Sequence, residues 1–438
     1  MHVLEHDFTN RKISPWGGIK LFQEFFTRSG FRDFLLEQKL PSPGSNRGFA
    51  AIDIVEGLLA SIILGSTRLE HCGMLRQDAV IKEIFGWEKG MASASTFGRF
   101  LRRFDEKMIS DLFPQIQKYI VSRLAVKYRT IDLDSSVITR FGHQEGAKIG
   151  YNPQRRGRPS HHPLMAFCED SKLVINGWMR SGNADSKTNA VAFIEELLSI
   201  VEENQIGLIR ADVGFYSHKI MSFLEDRKTP VPYLIKVRIT TGILKQITQP
   251  RKWMRSDDVI KGAIYGEIDY KSSGWKHSRR VILVGIPINQ KNNYPSLFKE
   301  FDILNEYKFY GFVTNSKLSM VDTHRRYNQR GDSENRIKEL KYDYGLEGFS
   351  MHSLSATDAA FRFVMLAYNL MTLFKHSIVN PRVNHRLSTI KFQCIAIGSY
   401  ITKTARKKIL KLSAEGKRRH FLEHLFENTE LIHPKFVF

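Results

Sequence analysis

The sequence predicts an α/β core interrupted by a β-rich block, with a helical N-terminal domain before it and a basic helical C-terminal segment after it. Three observations predict this. Apolar residues keep helical spacing up to about residue 125. From Tyr128 the period changes, and strand, strand, helix and strand follow one another. Between Pro232 and Thr314 the pattern is almost entirely β. The division these periods give is 1–125 (helical), 126–231 (first part of the core), 232–314 (β-rich insertion), 315–380 (second part of the core) and 381–438 (basic and helical).

In the first region Ile52–Leu64 is a compact apolar helix pattern. Ala92–Thr96 supplies Ser and Thr caps for a short basic helix. Phe97, Phe100, Leu101 and Phe104 take its buried spacing, while Arg99, Arg102 and Arg103 take other faces. Those arginines are candidate DNA contacts, and a helix-turn-helix reading would set this helix in a groove. A basic surface helix is the plainer alternative.

Tyr128–Thr139 alternates and is rich in β-branched residues, Leu173–Arg180 reads as a second strand, and Asn189–Glu202 as a helix. Ile206–Ala211 is a short buried strand running directly into Asp212. The β-rich block holds YLIKVRI, AIYGEIDY, RRVILVGIPI and YKFYGFVTN. From Thr323 onward helix is expected, including the apolar stretch Ala359–Phe374 as a buried core helix. Lys403, Arg406, Lys407, Lys408, Lys411, Lys417, Arg418 and Arg419 face only Glu415 across 401–420. That run suits a DNA-tracking helix or a solvated tail.

Composition narrows the function. The 438 residues carry 66 Lys+Arg against 45 Asp+Glu, a formal charge of +21. Such an excess points to a polyanionic partner, most often nucleic acid. With 42% hydrophobic and 11% aromatic residues the chain can bury a core, which excludes global disorder. Cys72, Cys168 and Cys394 are far apart and odd in number, so a disulfide scaffold and a Cys-zinc site are excluded, and a reducing compartment is expected. MHVLEHDFTNRK lacks the apolar run of a signal peptide, and Ala359–Phe374 is too short to span a membrane.

Candidate chemistry rests on carboxylates. Asp132 and Asp134 lie two apart on one strand and share a face. Asp212 ends a strand before Gly214, and Glu334 opens the helical stretch SENRIKELKYDYG. Carboxylates gathered from two strands and a helix would make an oxygen-lined site for two Mg²⁺ ions. Tyr327, Arg330, Glu334 and Lys341 fall within roughly 60° of a helical wheel at about 100° per residue, provided one helix reaches back to Tyr327. A Tyr hydroxyl and two cations beside such a carboxylate suit a phosphate backbone. Ordinary charge pairing along a helix, with Arg336, Lys338 and Glu339, is the alternative.

The spacing Tyr327-x2-Arg330-x3-Glu334-x6-Lys341 resembles the Y-R-E-K signature of bacterial insertion-sequence transposases of the DDE type. Asp134 in TIDLDSS and Asp212 in RADVGFY are similar to the first two acids of that triad. GYNPQRRGRPSHHPLMAF, MRSGNADSKTNA, YLIKVR and ENRIKELKYDYG add to the likeness, which covers roughly 125–380. It implies a ribonuclease-H-like catalytic core with a β-rich insertion. It further implies that Asp134, Asp212 and Glu334 hold two divalent metals, Mg²⁺ or as a substitute Mn²⁺. Tyr327, Arg330 and Lys341 would then position phosphates, and double-stranded DNA at element ends and target would be the substrate. Water would release a 3′-hydroxyl, which would attack target DNA without a covalent enzyme intermediate. A homodimer in the DNA complex, no membrane, and a cytoplasmic, nucleoid-associated prokaryotic setting are expected.

Asp134 is preferred to Asp132 because Ser135 follows it, as the resemblance requires. Related β-insertion enzymes hold a flipped base with an aromatic residue, and Trp253 and Trp275 are candidates, although a buried Trp is the plainer reading. Arg155, Arg156 and Arg158 in RRGRP have the shape of a minor-groove hook, and phosphate contact near the site is favoured over sequence reading. His161 and His162 are read as polar loop residues or metal ligands. Two rivals stand beside this. A haloacid-dehalogenase-type phosphatase would make Asp132 its nucleophile, with Gly331-Asp332 as a partial echo of a metal motif. A catalytically silent, transposase-derived DNA-binding protein would bind without cutting.

Overall fold

A computed structural model describes residues 4–42, 47–126, 128–249, 251–288, 302–379 and 385–437. Two units emerge: 1–125 with 142–145 and 338–438, and 126–141 with 146–337.

The first unit opens with a short strand β1 (Ile13–Ser14) and helices α1 (Ile19–Arg28), α2 (Phe31–Glu37), α3 (Ala51–Ile63) and α4 (Leu69–Leu75). Then come α5 (Ala79–Phe85), α6 (Ala94–Leu101) and α7 (Glu106–Val121). Side-chain caps set three of these starts. Asp78 accepts from Val80 N–H at 2.9 Å, Ser93 from Thr96 N–H at 3.3 Å, and Asp105 from Met108 N–H at 2.7 Å.

The second unit is built on one nine-stranded sheet. Its strands are β2 (Arg129–Ser135), β5 (Leu164–Cys168), β6 (Val174–Trp178), β7 (Ile206–Ala211) and β8 (Tyr233–Val237), then β9 (Met254–Ser256), β10 (Ala263–Tyr270), β11 (Arg279–Pro287) and β12 (Tyr307–Thr314). The order across the sheet is β6-β5-β2-β7-β8-β12-β11-β10-β9. β2 is antiparallel to β5 and parallel to β7, and β7 is parallel to β8. The strands β2, β5 and β7 are buried along nearly their whole length, as central strands covered on both faces must be. A separate pair, β3 (Ile138–Thr139) and β4 (Ser160–His161), closes the loop after β2. Helices α8 (Ala190–Ile200), α9 (His218–Glu225), α10 (Thr241–Thr248), α11 (Asp302–Glu306) and α12 (Met320–Asn328) connect the strands, and α13 (Gly331–Tyr342) follows α12.

Back in the first unit, α14 (Leu354–Phe374) is buried almost throughout and forms its core. Phe363 packs its ring against Phe100, Phe104 and Phe113 at 5.3–6.3 Å, and Phe374 against Phe25 at 5.7 Å. The chain ends in α15 (Leu387–Ile390), β13 (Ser399–Lys403), β14 (Lys408–Leu412) and α16 (Gly416–Glu430). A three-stranded sheet orders β1-β13-β14.

The mixed α/β class holds, and the structure adds to the sequence reading and departs from it in places. The block 232–314 also holds a helix, α10, which Thr240 caps by accepting from Ile243 N–H. It is also no separate sheet, since β8 pairs parallel with β7 and β12 joins β8, so the block extends the core sheet; its residues 289–301 lie outside the described ones. Tyr327 and Glu334 sit on different helices, because the chain breaks at Gln329–Arg330 between α12 and α13. Finally, the basic C-terminal run is not helical at its start but forms the β13–β14 hairpin. The helical N-terminal region does not stand alone either. It shares its core with α14 and the chain end, since α14 is the apolar helix its phenylalanines need.

Candidate active site

Parallel strands bring their carboxyl ends to one edge of a sheet, where α/β proteins place their ligands. β2 and β7 are such neighbours. Leu133 is the Cα partner of Ala211, so Asp134 and Asp212 are the next residues on adjacent strands. Asp134 is buried. Its Oδ1 accepts from Ser135 N–H at 2.8 Å, and its Oδ2 accepts from Ser333 Oγ at 3.2 Å and pairs with Arg330 Nη2 at 3.0 Å. Burial pushes this carboxyl above the ordinary Asp range. Arg330 pulls it back, and Asp212 adds repulsion. Asp212 leaves the strand into a 3₁₀ turn, where its Oδ1 accepts from Gly214 N–H at 2.9 Å.

Arg330 occupies the break between α12 and α13 and is itself buried. Besides Asp134 it donates to the Leu133 carbonyl at 3.2 Å, while its Nε is buried with no hydrogen-bond partner among the described residues. Burial works against the guanidinium, yet Asp134, Tyr327, Asp212 and Asp132 outweigh it and hold the cation above its ordinary value. Tyr327 packs its ring on Phe312 at 4.6 Å. Its hydroxyl is pushed up to about 12, chiefly by burial, with Arg330 opposing and the three aspartates adding. It therefore stays a neutral donor.

Asp132 has a different fate. Its Cα partner across the parallel pair is Arg210, and both residues face the side that carries Asp134. Nε and Nη2 of Arg210 donate to Oδ1 and Oδ2 of Asp132, each at 2.7 Å. Nη1 reaches Glu169 at 3.3 Å and the Arg326 carbonyl at 2.6 Å. Both partners are buried, and the fork satisfies both carboxylate oxygens. Asp132 is thus the anchored floor below Asp134, with no oxygen left uncommitted to hydrogen bonding.

Beside the aspartates, Ser135 Oγ lies 2.9 Å from Ser186 Oγ and 3.2 Å from His162 Nε2, and His162 Nδ1 lies 2.6 Å from the Ala184 carbonyl. Burial depresses the His162 pKa, so the imidazole is held neutral. His162, in the short link between β4 and β5, is therefore built into the wall of the site, whereas His161 lies on β4 and accepts from Arg140 Nε at 3.0 Å.

Glu334 is exposed on the first turn of α13 and makes no hydrogen bond or ion pair among the described residues. A hard divalent cation suits the oxygen donors of Asp134 and Asp212. Among the described residues, though, no three His, Cys, Asp or Glu side chains are grouped closely enough to hold an ion. The structure thus brings together Asp134, Asp212, Tyr327 and Arg330, and leaves Glu334 apart. Lys341 belongs to the first unit, where it pairs with Glu347 at 2.8 Å.

The other sequence candidates are exposed cations. Lys148 and Ser160 exchange backbone hydrogen bonds of 3.0 and 3.2 Å and so close the loop that carries Arg155, Arg156 and Arg158. Arg155 lies over the Phe141 ring at 5.1 Å, and Gly157 takes φ +73° at the turn between the arginines. In the first unit Arg99, Arg102 and Arg103 are exposed on and just after α6, with Arg99 donating to Thr96 Oγ1 and Arg103 to the Ser42 carbonyl. The tryptophans are packed. Trp275 is buried against Tyr216, Tyr270 and Arg279, and Trp253 lies over Gly266, where a Cβ would meet its ring at 2.8 Å.

Arg210, Ser333 and Ser186 were not singled out in the sequence. Their roles come from pairings between segments far apart in the chain, for which no local pattern exists. No helix among the described residues is long and apolar enough to cross a membrane.

Two aspartates thus stand at the carboxyl ends of neighbouring parallel strands of one α/β sheet, with the buried Arg330 set against the first of them. The chain belongs to the transposase DDE domain group 1 family, whose model matches residues 2–433. Among solved structures, a cryo-EM structure of the piggyBac transposase synaptic complex with hairpin DNA is similar. It is 11% identical, with a TM-score of 0.44, and the match covers 96% of this chain and 82% of that one. No curated protein matches the sequence.

Proposed function

We propose that this protein is an active DNA transposase that binds the two ends of an insertion sequence, cuts them, and joins them to target DNA. The observation that carries the reading is that Asp134 and Asp212 are the next residues beyond the Leu133–Ala211 pair of neighbouring parallel strands, with Arg330 set against Asp134. Burial and the nearby Asp212 disfavour the charged form of Asp134, so a cation beside it is stabilising, as Arg330 already is. Asp134 and Asp212 would hold a divalent metal, Mg²⁺ or Mn²⁺, and Glu334, uncommitted among the described residues, is the third ligand that the Y-R-E-K resemblance supplies. Bound there, the metal would stabilise charge at the phosphate under attack.

The chain's own residues do the rest. The spare Nε–H of Arg330 is a buried donor for a phosphate oxygen, and Tyr327 offers a neutral hydroxyl beside it. The Asp132–Arg210 fork keeps the end of β2 in place beneath Asp134. The mixed sheet with acids at the ends of its central strands supports the ribonuclease-H-like reading. Arg155, Arg156 and Arg158 would hold DNA phosphates near the site, Lys341 would hold others, and Arg99, Arg102 and Arg103 would add contacts in the first unit. A homodimer would bring the two element ends together, in the cytoplasm of a prokaryotic cell.

The phosphatase alternative loses its nucleophile, because both Asp132 oxygens are bonded to Arg210. The test is to incubate the protein with Mg²⁺ and duplex DNA containing the sequence that flanks its own gene. Cleavage at the edge of a flanking inverted repeat supports the proposal. Tight binding with no strand cut under any metal would favour the silent descendant.

A further inference from the structure

The β13–β14 hairpin is a feature that no site residue named above uses. It carries Lys403, Arg406, Lys407, Lys408 and Lys411 and no carboxylate. Register splits these cations between two faces. Lys403 and Lys408 are partners across the ribbon, and both turn to Glu83 on α5, at 3.3 and 2.7 Å. That face is tied down. On the other face Ile13, Tyr400 and Lys411 line up across the three strands, followed by Thr402 and Ile409. Ile13 is 55% and Ile409 39% exposed, and the Arg11 guanidinium lies 3.5 Å over the Tyr400 ring. At the tip, Thr404 and Lys407 close the turn through backbone and Oγ1 bonds, which leaves Arg406 and Lys407 projecting. Arg406, Lys407 and Lys411 are exposed and make no ion pair among the described residues.

We infer that this hairpin is a DNA-binding ribbon, whose outer face and tip lie against the phosphate backbone of duplex DNA. Beyond its pairing with β1 at Ser399 and Tyr400 the hairpin is two-stranded, and two-stranded ribbons fit the major groove. A strip with Lys411 and Arg11 beside the Tyr400 ring and apolar groups, two further cations at its tip and no acid, complements a polyanion with flat apolar edges. A solvated charge run would not need two of its lysines anchored to one glutamate so that the remaining cations share the opposite face and the tip. The inference rests on the transposase reading for its choice of DNA, and adds a contact surface outside the catalytic unit.

The test uses the full-length protein and a mixed-sequence duplex of about 30 base pairs. Fluorescence anisotropy follows binding across a salt series for wild type, an Arg406→Ala/Lys407→Ala/Lys411→Ala variant, and a charge-conserving Arg406→Lys/Lys407→Arg/Lys411→Arg variant. Each phosphate contact contributes about 0.9 to the slope of log K against log salt, so three lost contacts lower it by about 2–3 and weaken binding on the order of a hundredfold at 0.1 M salt. The alanine variant is expected to show both losses with an unchanged melting temperature, and the charge-conserving variant to bind like wild type. Equal affinity and slope for wild type and alanine variant overturn the inference and leave the transposase reading untouched. A loss confined to single-stranded RNA also overturns it. Failure of the wild type itself to bind duplex would overturn both.

Discussion

Asp132→Asn separates scaffold from chemistry at this site. The substitution removes the charge that faces Arg210, a residue with no exposed side-chain surface, and keeps the shape of Asp132. Arg210 retains only Glu169 at 3.3 Å and the Arg326 carbonyl at 2.6 Å. Removing one partner of a buried pair costs about 3–5 kcal/mol, because the remaining charge stays buried with less compensation, here from Glu169. For a unit of roughly 200 residues each kcal/mol moves the melting temperature by about 2–4 °C, so a fall of about 6–20 °C is expected. Glu334→Gln should leave it within about 1 °C, since that side chain is exposed and unbonded among the described residues. Thermal unfolding of the three proteins, followed by cleavage at a temperature where all are folded, completes the assay. Asp132→Asn should then cut DNA at a reduced rate and Glu334→Gln should not cut. If Asp132→Asn melts like wild type and cuts nothing, Asp132 belongs to the chemistry and the floor assignment is refuted.

Three further outcomes follow from the same geometry. Glu225 is partly buried at a cost, yet Arg279 at 2.6 and 2.8 Å and the Tyr233 hydroxyl hold its pKa below the ordinary Glu value. Its stabilisation is therefore present above the unfolded-state value and is lost as pH falls through the folded one. Glu225→Gln should cost about 1–3 kcal/mol at pH 7, and urea melts should show the gap to wild type closing below the usual Glu titration range. Gly182→Ala would put a Cβ 1.9 Å from the Ser160 carbonyl and 2.4 Å from that of Lys148, forcing apart the base of the arginine loop. It should weaken DNA binding about as much as Arg155→Ala/Arg156→Ala/Arg158→Ala, which itself should lower the salt slope by about 2–3. Phe363→Ala should destabilise the first unit by about 3–5 kcal/mol through the cavity it leaves among Phe100, Phe104 and Phe113.

Local pattern carried most of the elements. Ile206–Ala211 and Ala263–Tyr270 are strands with the bounds their alternation gives, and the Ser93 cap marks the start of α6. Pattern failed where charge masked it. In SYITKTARKKILKL the β-branched Ile and Thr positions signal a strand, but the cations between them read as a solvated helix. At the site, Asp134 and Asp212 were legible because each sits where a strand stops. The Asp132–Arg210 fork was not, since its partners lie 78 residues apart and only strand register joins them. The stripe from Tyr327 to Lys341 assumed one helix, and the break at Gln329–Arg330 removes it. That break is also what turns Arg330 inward to Asp134.

Metal-dependent cleavage of DNA flanking the protein's own gene, compared between wild type and Asp134→Asn, tests the central claim most directly. With Mg²⁺ present, wild type should cut at the edge of an inverted repeat, and Asp134→Asn, folded and still binding the duplex, should cut at least a thousandfold more slowly, about 4 kcal/mol in the barrier. Equal cutting by the two proteins would contradict the account.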